Sequence, residues 1–108
     1  IEKNLNTQEK KLEALLKKAI IYKSMKNVTV YMGPMCAFCD AAKRLLVRNN
    51  IPYKEINIAL EEDKMDEMLS KSNGKRTIPQ IFFDDHHVGG YEELRTLEKE
   101  NKLQNLLK

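Results

Sequence analysis

Val28-Thr29-Val30-Tyr31-Met32-Gly33-Pro34-Met35-Cys36-Ala37-Phe38-Cys39 is the stretch whose reading decides the fold. Its first five residues are apolar and rich in β-branched side chains, which reads as a buried strand. Gly33-Pro34 ends that strand. Beyond it the period changes. Ala42, Leu45 and Leu46 fall on one face and Lys43, Arg44 and Arg48 on the other, so a helix is expected over about 37–49. Asn49-Asn50 stop it, and Pro52 cannot continue it. Both cysteines of the chain therefore stand where a strand turns into a helix.

The same reading extends in both directions. Downstream, a strand is expected over 53–58. A helix follows over 61–72, with acids in its first turn and Met65, Met68 and Leu69 inward. Asn73-Gly74 closes it. After Pro79 comes a strand at Ile81-Phe82-Phe83, turning through Asp84-Asp85 into His86-His87-Val88. Gly89-Gly90 precedes a last helix starting at Tyr91, continued or broken near Asn101. Upstream, Thr7 caps a helix over 7–21, whose apolar stripe is Leu12, Leu15, Leu16, Ala19 and Ile20. The chain thus divides into a helical extension, 1–26, and one domain, 27–108. The domain order β-α-β-α-β-β-α implies parallel neighbours joined by a right-handed crossover, then an antiparallel hairpin. The expected class is α/β, a small mixed four-stranded sheet with helices on both faces.

Composition excludes several classes of function. At 42% hydrophobic and 32% charged, the 108 residues read as one soluble globular domain. The longest apolar candidate, residues 14–21, is broken by Lys17 and Lys18, so no membrane span is expected. It has neither the h-region nor the cleavage site of a secretory signal, and residues 1–26 hold no Arg and three Glu, unlike a mitochondrial transit peptide. The chain opens on Ile1, so a trimmed or processed start is expected. The net charge of +3 comes from the extension, where seven Lys and three Glu give +4. The remaining twelve Lys/Arg and thirteen Asp/Glu give −1. No aromatics interleave with those lysines, so neither nucleic acid nor a membrane is an expected partner.

Cys36 and Cys39 are three residues apart at a helix start, on one face and within disulfide reach. A secreted scaffold would scatter its cysteines to close large loops. A lone close pair without a signal points to redox chemistry in a cytoplasmic protein. Helix-start amides and the macrodipole favour a thiolate at Cys36, with a pKa below the free value of about 8.5. Cys39, one turn in, is the resolving thiol. Half of a zinc site is the competing reading. It needs two more ligands, and His86 and His87, adjacent on a strand, point to opposite faces. They read instead as a polar turn beside Asp84 and Asp85.

Over about residues 26–107 the chain resembles a dithiol glutaredoxin. Four pieces carry the resemblance: Cys36-Ala37-Phe38-Cys39 after its strand; Gly74-Lys75-Arg76-Thr77-Ile78-Pro79-Gln80-Ile81-Phe82; His87-Val88-Gly89-Gly90; and Tyr91-Glu92-Glu93-Leu94. The resemblance implies a thioredoxin-like fold and a glutathione-disulfide oxidoreductase acting on glutathionylated or disulfide-containing proteins. Glutathione would be its co-substrate. It implies a cis Pro79 facing the cysteines, with Ile78 presenting its backbone to glutathione. Thr77, Ile78, Pro79, Gly90, Tyr91 and Glu92 would bind that ligand, with Phe38 as an apolar wall and Arg76 at the glycyl end. Gly89-Gly90 would allow close backbone approach and leave free amides, and a branched side chain at Gly90 would resist an unusual φ. Two positions depart from the family pattern. Gly33 stands where a Lys or Arg is usual, and Ala37 where Pro is common. Replacement of that Pro is associated, in similar proteins, with a [2Fe–2S] cluster shared between two subunits through the residue matching Cys36. The protein is expected to be a monomer, or a dimer through such a cluster or the N-terminal helix.

Overall fold

The computed structural model describes residues 25–108. The helix expected over 7–21 lies outside them. The strands are β1 (Val28–Met32), β2 (Lys54–Asn57), β3 (Gln80–Phe83) and β4 (His86–Gly89). The helices are α1 (Ala37–Arg48), α2 (Glu62–Lys71), α3 (Tyr91–Lys99) and α4 (Leu103–Leu107). The sheet order is β2-β1-β3-β4. β1 runs parallel to β2, with Thr29 opposite Lys54, and antiparallel to β3, with Val30 opposite Ile81. β3 and β4 form the closing hairpin, with an irregularity between Ile81 and Phe82. This is the expected mixed sheet. The last helix breaks before Asn101, whose positive φ of 57° ends it, and α4 then starts at Leu103.

Strand alternation sends side chains to two cores. Val28, Val30, Ile81 and Phe83 pack with Ala42, Leu45 and Leu46 of α1, Leu94 of α3, and Leu103 and Leu107 of α4. The opposite face collects Tyr31, Ile56, Phe82 and Met68 of α2. Ala42, Leu45 and Leu46 are fully buried, as their helical spacing predicts. Tyr31 and Phe82 meet edge to face at 5.5 Å. The Tyr31 hydroxyl donates to Glu67 at 2.6 Å, tying the sheet to α2.

The helices on the first face are clamped by one carboxylate. Glu98 of α3 accepts from Arg48 Nε and Nη2 at 2.9 and 2.8 Å, from Asn49 Nδ2 at 2.6 Å, and from Arg95 Nη1 at 2.8 Å. The bidentate Arg48 fork is the main cause that holds the Glu98 carboxyl at about 2, below its ordinary 4.5. A depressed carboxyl adds stability above its unfolded value, and that stability is lost as pH falls from about 4.5 towards 2. Glu98→Gln should therefore destabilise the protein at pH 7. The expected loss is no more than about 1 kcal/mol, because the Arg48 partner is half exposed. Urea unfolding of the two proteins at pH 7, 4 and 2.5 should show the gap closing with acid. A gap that does not depend on pH would exclude this account.

Candidate active site

The site is built where the C-terminal end of β1 meets the N-terminal end of β3. Cys36 is the N-cap of α1, in extended conformation at φ −117° and ψ 99°. Its sulfur accepts the Cys39 amide at 3.1 Å. An N-cap residue meets orphan amides of the first turn, and here a sulfur does what a Ser or Asp oxygen usually does. Cys36 is half buried and Cys39 is 1% exposed. The two are joined as a disulfide, with Cα atoms 5.2 Å apart. The asymmetry of burial is the one that the sequence leads one to expect: one sulfur at the rim, the other beneath it.

Ile78-Pro79 is a cis peptide, as the resemblance implied, and the Ile78 carbonyl oxygen lies 3.8 Å from Cys36 Sγ. Beside it runs a groove of about 210 Å³ lined by Phe38, Thr77, Ile78, Pro79, Gly90, Tyr91, Glu92 and Glu93. Phe38 is 60% exposed and stacks on Tyr91, with centroids 6.0 Å apart. Seven of the eight non-cysteine site residues expected from sequence are thus brought together. Arg76 is not; it is exposed and outside the lining.

Three details differ from the sequence reading. The Gly90 amide is not free, because it donates to Glu93 Oε2 at 3.0 Å. Glu93 was missed as a groove residue, although Gly90-x-x-Glu93 is the spacing of a capping box. Gly90 also has an ordinary φ of −95°; of the pair it is Gly89 whose φ is positive, at 121°. A Cβ at Gly90 would meet the Pro79 carbonyl oxygen and Glu93 Oε2, each at 3.4 Å, so a β-branched side chain there would have little room. Finally, His87 is not part of a solvated turn. Its ring stacks on Phe82 at 4.8 Å and its Nε2 lies 2.6 Å from Gln80 Oε1, while His86 is exposed.

A Cβ at Gly33 would lie 2.9 Å from Ile78 Cδ1, the tip of a side chain that can shift to admit it. No Lys or Arg lines the groove among the described residues. The first-turn amides and the dipole of a 12-residue helix favour a thiolate at Cys36.

A glutaredoxin family model matches residues 28–88. Glutaredoxin 1 of Rickettsia prowazekii (strain Madrid E) is 42% identical over 82 residues, 75% of this chain and 86% of that protein. The solution structure of glutaredoxin from Brucella melitensis aligns with a TM-score of 0.68 at 41% identity, covering 79% of this chain and 91% of that one. The crystal structure of a buckwheat glutaredoxin–glutathione complex aligns at 0.68 and 25% identity, covering 92% of both chains.

The geometry at Cys36 leads to a measurement. Iodoacetamide alkylation of the reduced protein, followed against pH, should have its midpoint clearly below the free-thiol value of about 8.5. Raised salt should shift it little, because the stabilising donors are fixed amides at contact distance. A midpoint above about 8 would show that the helix start does not activate the thiol.

Proposed function

The chain belongs to the glutaredoxin family, and from that premise we propose that it is a glutathione-dependent thiol–disulfide oxidoreductase. Its substrates would be protein–glutathione mixed disulfides and protein disulfides. The observation that carries this reading is the groove. It runs from beside Cys36, past the backbone of Ile78, to the start of α3. That is the shape of an extended tripeptide with its thiol at the reactive sulfur. The ligand backbone adds to Ile78 as a short strand. The γ-glutamyl carboxylate meets the amides of Tyr91 and Glu92, the first two residues of α3, which have no acceptor within the helix. Glu92, exposed at the same end, pairs with the ammonium. Pro79 and Phe38 supply apolar walls. Arg76, next in sequence to Thr77, offers the glycyl carboxylate a solvent-screened charge. The buckwheat relative was solved as a glutathione complex, which supports the same ligand here.

In this reading the Cys36 thiolate attacks the glutathionyl sulfur of a mixed disulfide. The S–S bond breaks and the protein thiolate leaves and takes a proton. A second glutathione thiolate attacks the sulfur held on Cys36, releasing glutathione disulfide and restoring the Cys36 thiolate. On an ordinary disulfide Cys36 forms the mixed disulfide with the substrate, and Cys39 attacks the Cys36 sulfur to free the substrate. The Cys36–Cys39 bridge is then reduced by two glutathiones. A cytoplasmic setting suits a pair that must be re-reduced in this way. A [2Fe–2S] cluster needs four thiolates. Cys36 fits as one of them and buried Cys39 does not, so three would come from outside the chain.

A glutathione assay coupled to NADPH oxidation tests both the roles and the groove. Cys36→Ser should reduce turnover to background on every substrate. Cys39→Ser should keep deglutathionylation and lose dithiol reduction of protein disulfides. Equal loss in both on a glutathionylated substrate would reverse the assignment. Gly90→Val places a branched side chain against the Pro79 carbonyl and into the groove. It should raise the KM for glutathione about tenfold. An unchanged KM in a variant with native circular dichroism would remove the ligand from this groove.

A further inference from the structure

One buried polar side chain beside the groove has no part in the chemistry above. Gln80 opens β3, is 3% exposed, and does not line the groove. Its Nε2 donates to the Thr77 carbonyl oxygen at 2.9 Å and to Thr77 Oγ1 at 3.0 Å. The Thr77 carbonyl can only accept, so the amide nitrogen of Gln80 must face it and Oε1 must face His87. At 2.6 Å, His87 Nε2 therefore carries the proton and donates. The His87 ring is fixed in turn by its stack on Phe82. Burial holds its pKa below 6.5, against the opposing pull of Glu93. The result is a chain of groups, His87 to Gln80 to Thr77, that reaches from β4 across to the residue before Ile78.

The peptide that joins Thr77 to Ile78 is planar and trans, so its C=O and N–H point in opposite directions. A Thr77 carbonyl held towards Gln80 leaves the Ile78 N–H pointing away from Gln80. Thr77 and Ile78 both line the groove. We propose that Gln80 and His87 are positioning residues, whose hydrogen-bonded chain fixes the Thr77–Ile78 peptide with its N–H turned to the groove. A peptide-like ligand then meets a donor already aimed, and spends less of its binding on ordering the loop. This inference rests on the glutathione reading, because it names what aims the backbone on which that ligand adds.

Two variants test it. Gln80→Glu keeps the shape, but its carboxylate cannot donate to Thr77 and repels the carbonyl. His87→Phe keeps a ring on Phe82 and removes only the N–H. The KM for glutathione should rise about tenfold in the first and about threefold in the second. The kcat, and turnover of a protein disulfide driven by dithiothreitol, which places no glutathione in the groove, should stay within about twofold in both. The Ile78 amide resonance should also move less on glutathione titration. Loss of packing alone would lower the melting temperature without splitting KM from kcat. If Gln80→Glu fails to fold, His87→Phe decides. Unchanged KM in a folded variant, or equal loss with both reductants, overturns the positioning role. If the unaltered protein turns over with dithiothreitol but not with glutathione, the underlying reading falls and this inference falls with it.

Discussion

The pairing of β1 with β3 at the centre of the sheet is the constraint on which the rest depends. The two strands are antiparallel, and Tyr31 stands opposite Gln80. The end of β1 and the beginning of β3 therefore lie at one end of the sheet. The turn leaving β1 carries Cys36, and the loop entering β3 carries Thr77, Ile78 and Pro79. Forty-two residues separate Cys36 from Ile78, yet the sulfur and the Ile78 carbonyl come within 3.8 Å. The Val28–Phe83 and Val30–Ile81 pairs hold that register by burying four side chains on one face. A slip of one residue would turn that set towards the opposite face and separate the two loops. The stability of the core and the assembly of the site thus have the same origin.

Fixed dipoles at two helix starts contribute to the electrostatics of the site. Cys36 occupies the N-cap of α1, where its sulfur takes an amide hydrogen bond. Gly33 puts no charge beside it, and the tip of the Ile78 side chain lies 2.9 Å from where a Cβ at 33 would stand. Amides at contact distance are screened by salt much less than an exposed lysine is. The other end of the groove is also a helix start. There Glu93 takes the Gly90 amide and leaves those of Tyr91 and Glu92 at the first helical positions. The groove is thus bounded by two helix N-termini, α1 and α3, with the Ile78 backbone between them. All three contribute main-chain donors or acceptors, whose positions depend on the fold more than on side-chain identity.

Much of this was legible in the sequence, and the reason is local. The β-branched run Val28 to Met32, the stop at Gly33-Pro34 and the spacing of Ala42, Leu45 and Leu46 specify a strand, a turn and a helix through backbone and packing preferences that act over a few residues. That context singles out Cys36 over Cys39, and the structure preserves the difference in burial. Glu93 is legible too, through its capping spacing to Gly90. A Gly-Gly pair shows that the chain needs freedom there, and only the backbone path shows that Gly89 uses it.

What sequence could not supply was every relation between distant segments. His86 and His87 look alike in a polar turn, yet pairing in the β3–β4 hairpin places His87 opposite Phe82 and leaves His86 exposed. Gln80 looks like one more strand residue until its amide is seen to bridge Thr77 and His87. Arg76 lies in the right segment but is exposed and outside the groove lining, because placement at a loop depends on packing and not on position in the chain. The sequence by itself determined the elements of the domain, their order and the place of Cys36 at a helix start, since each follows from short-range preferences. Only the tertiary structure decided which backbone groups face the sulfur and which side chains hold them there, because those contacts join residues that the chain keeps apart.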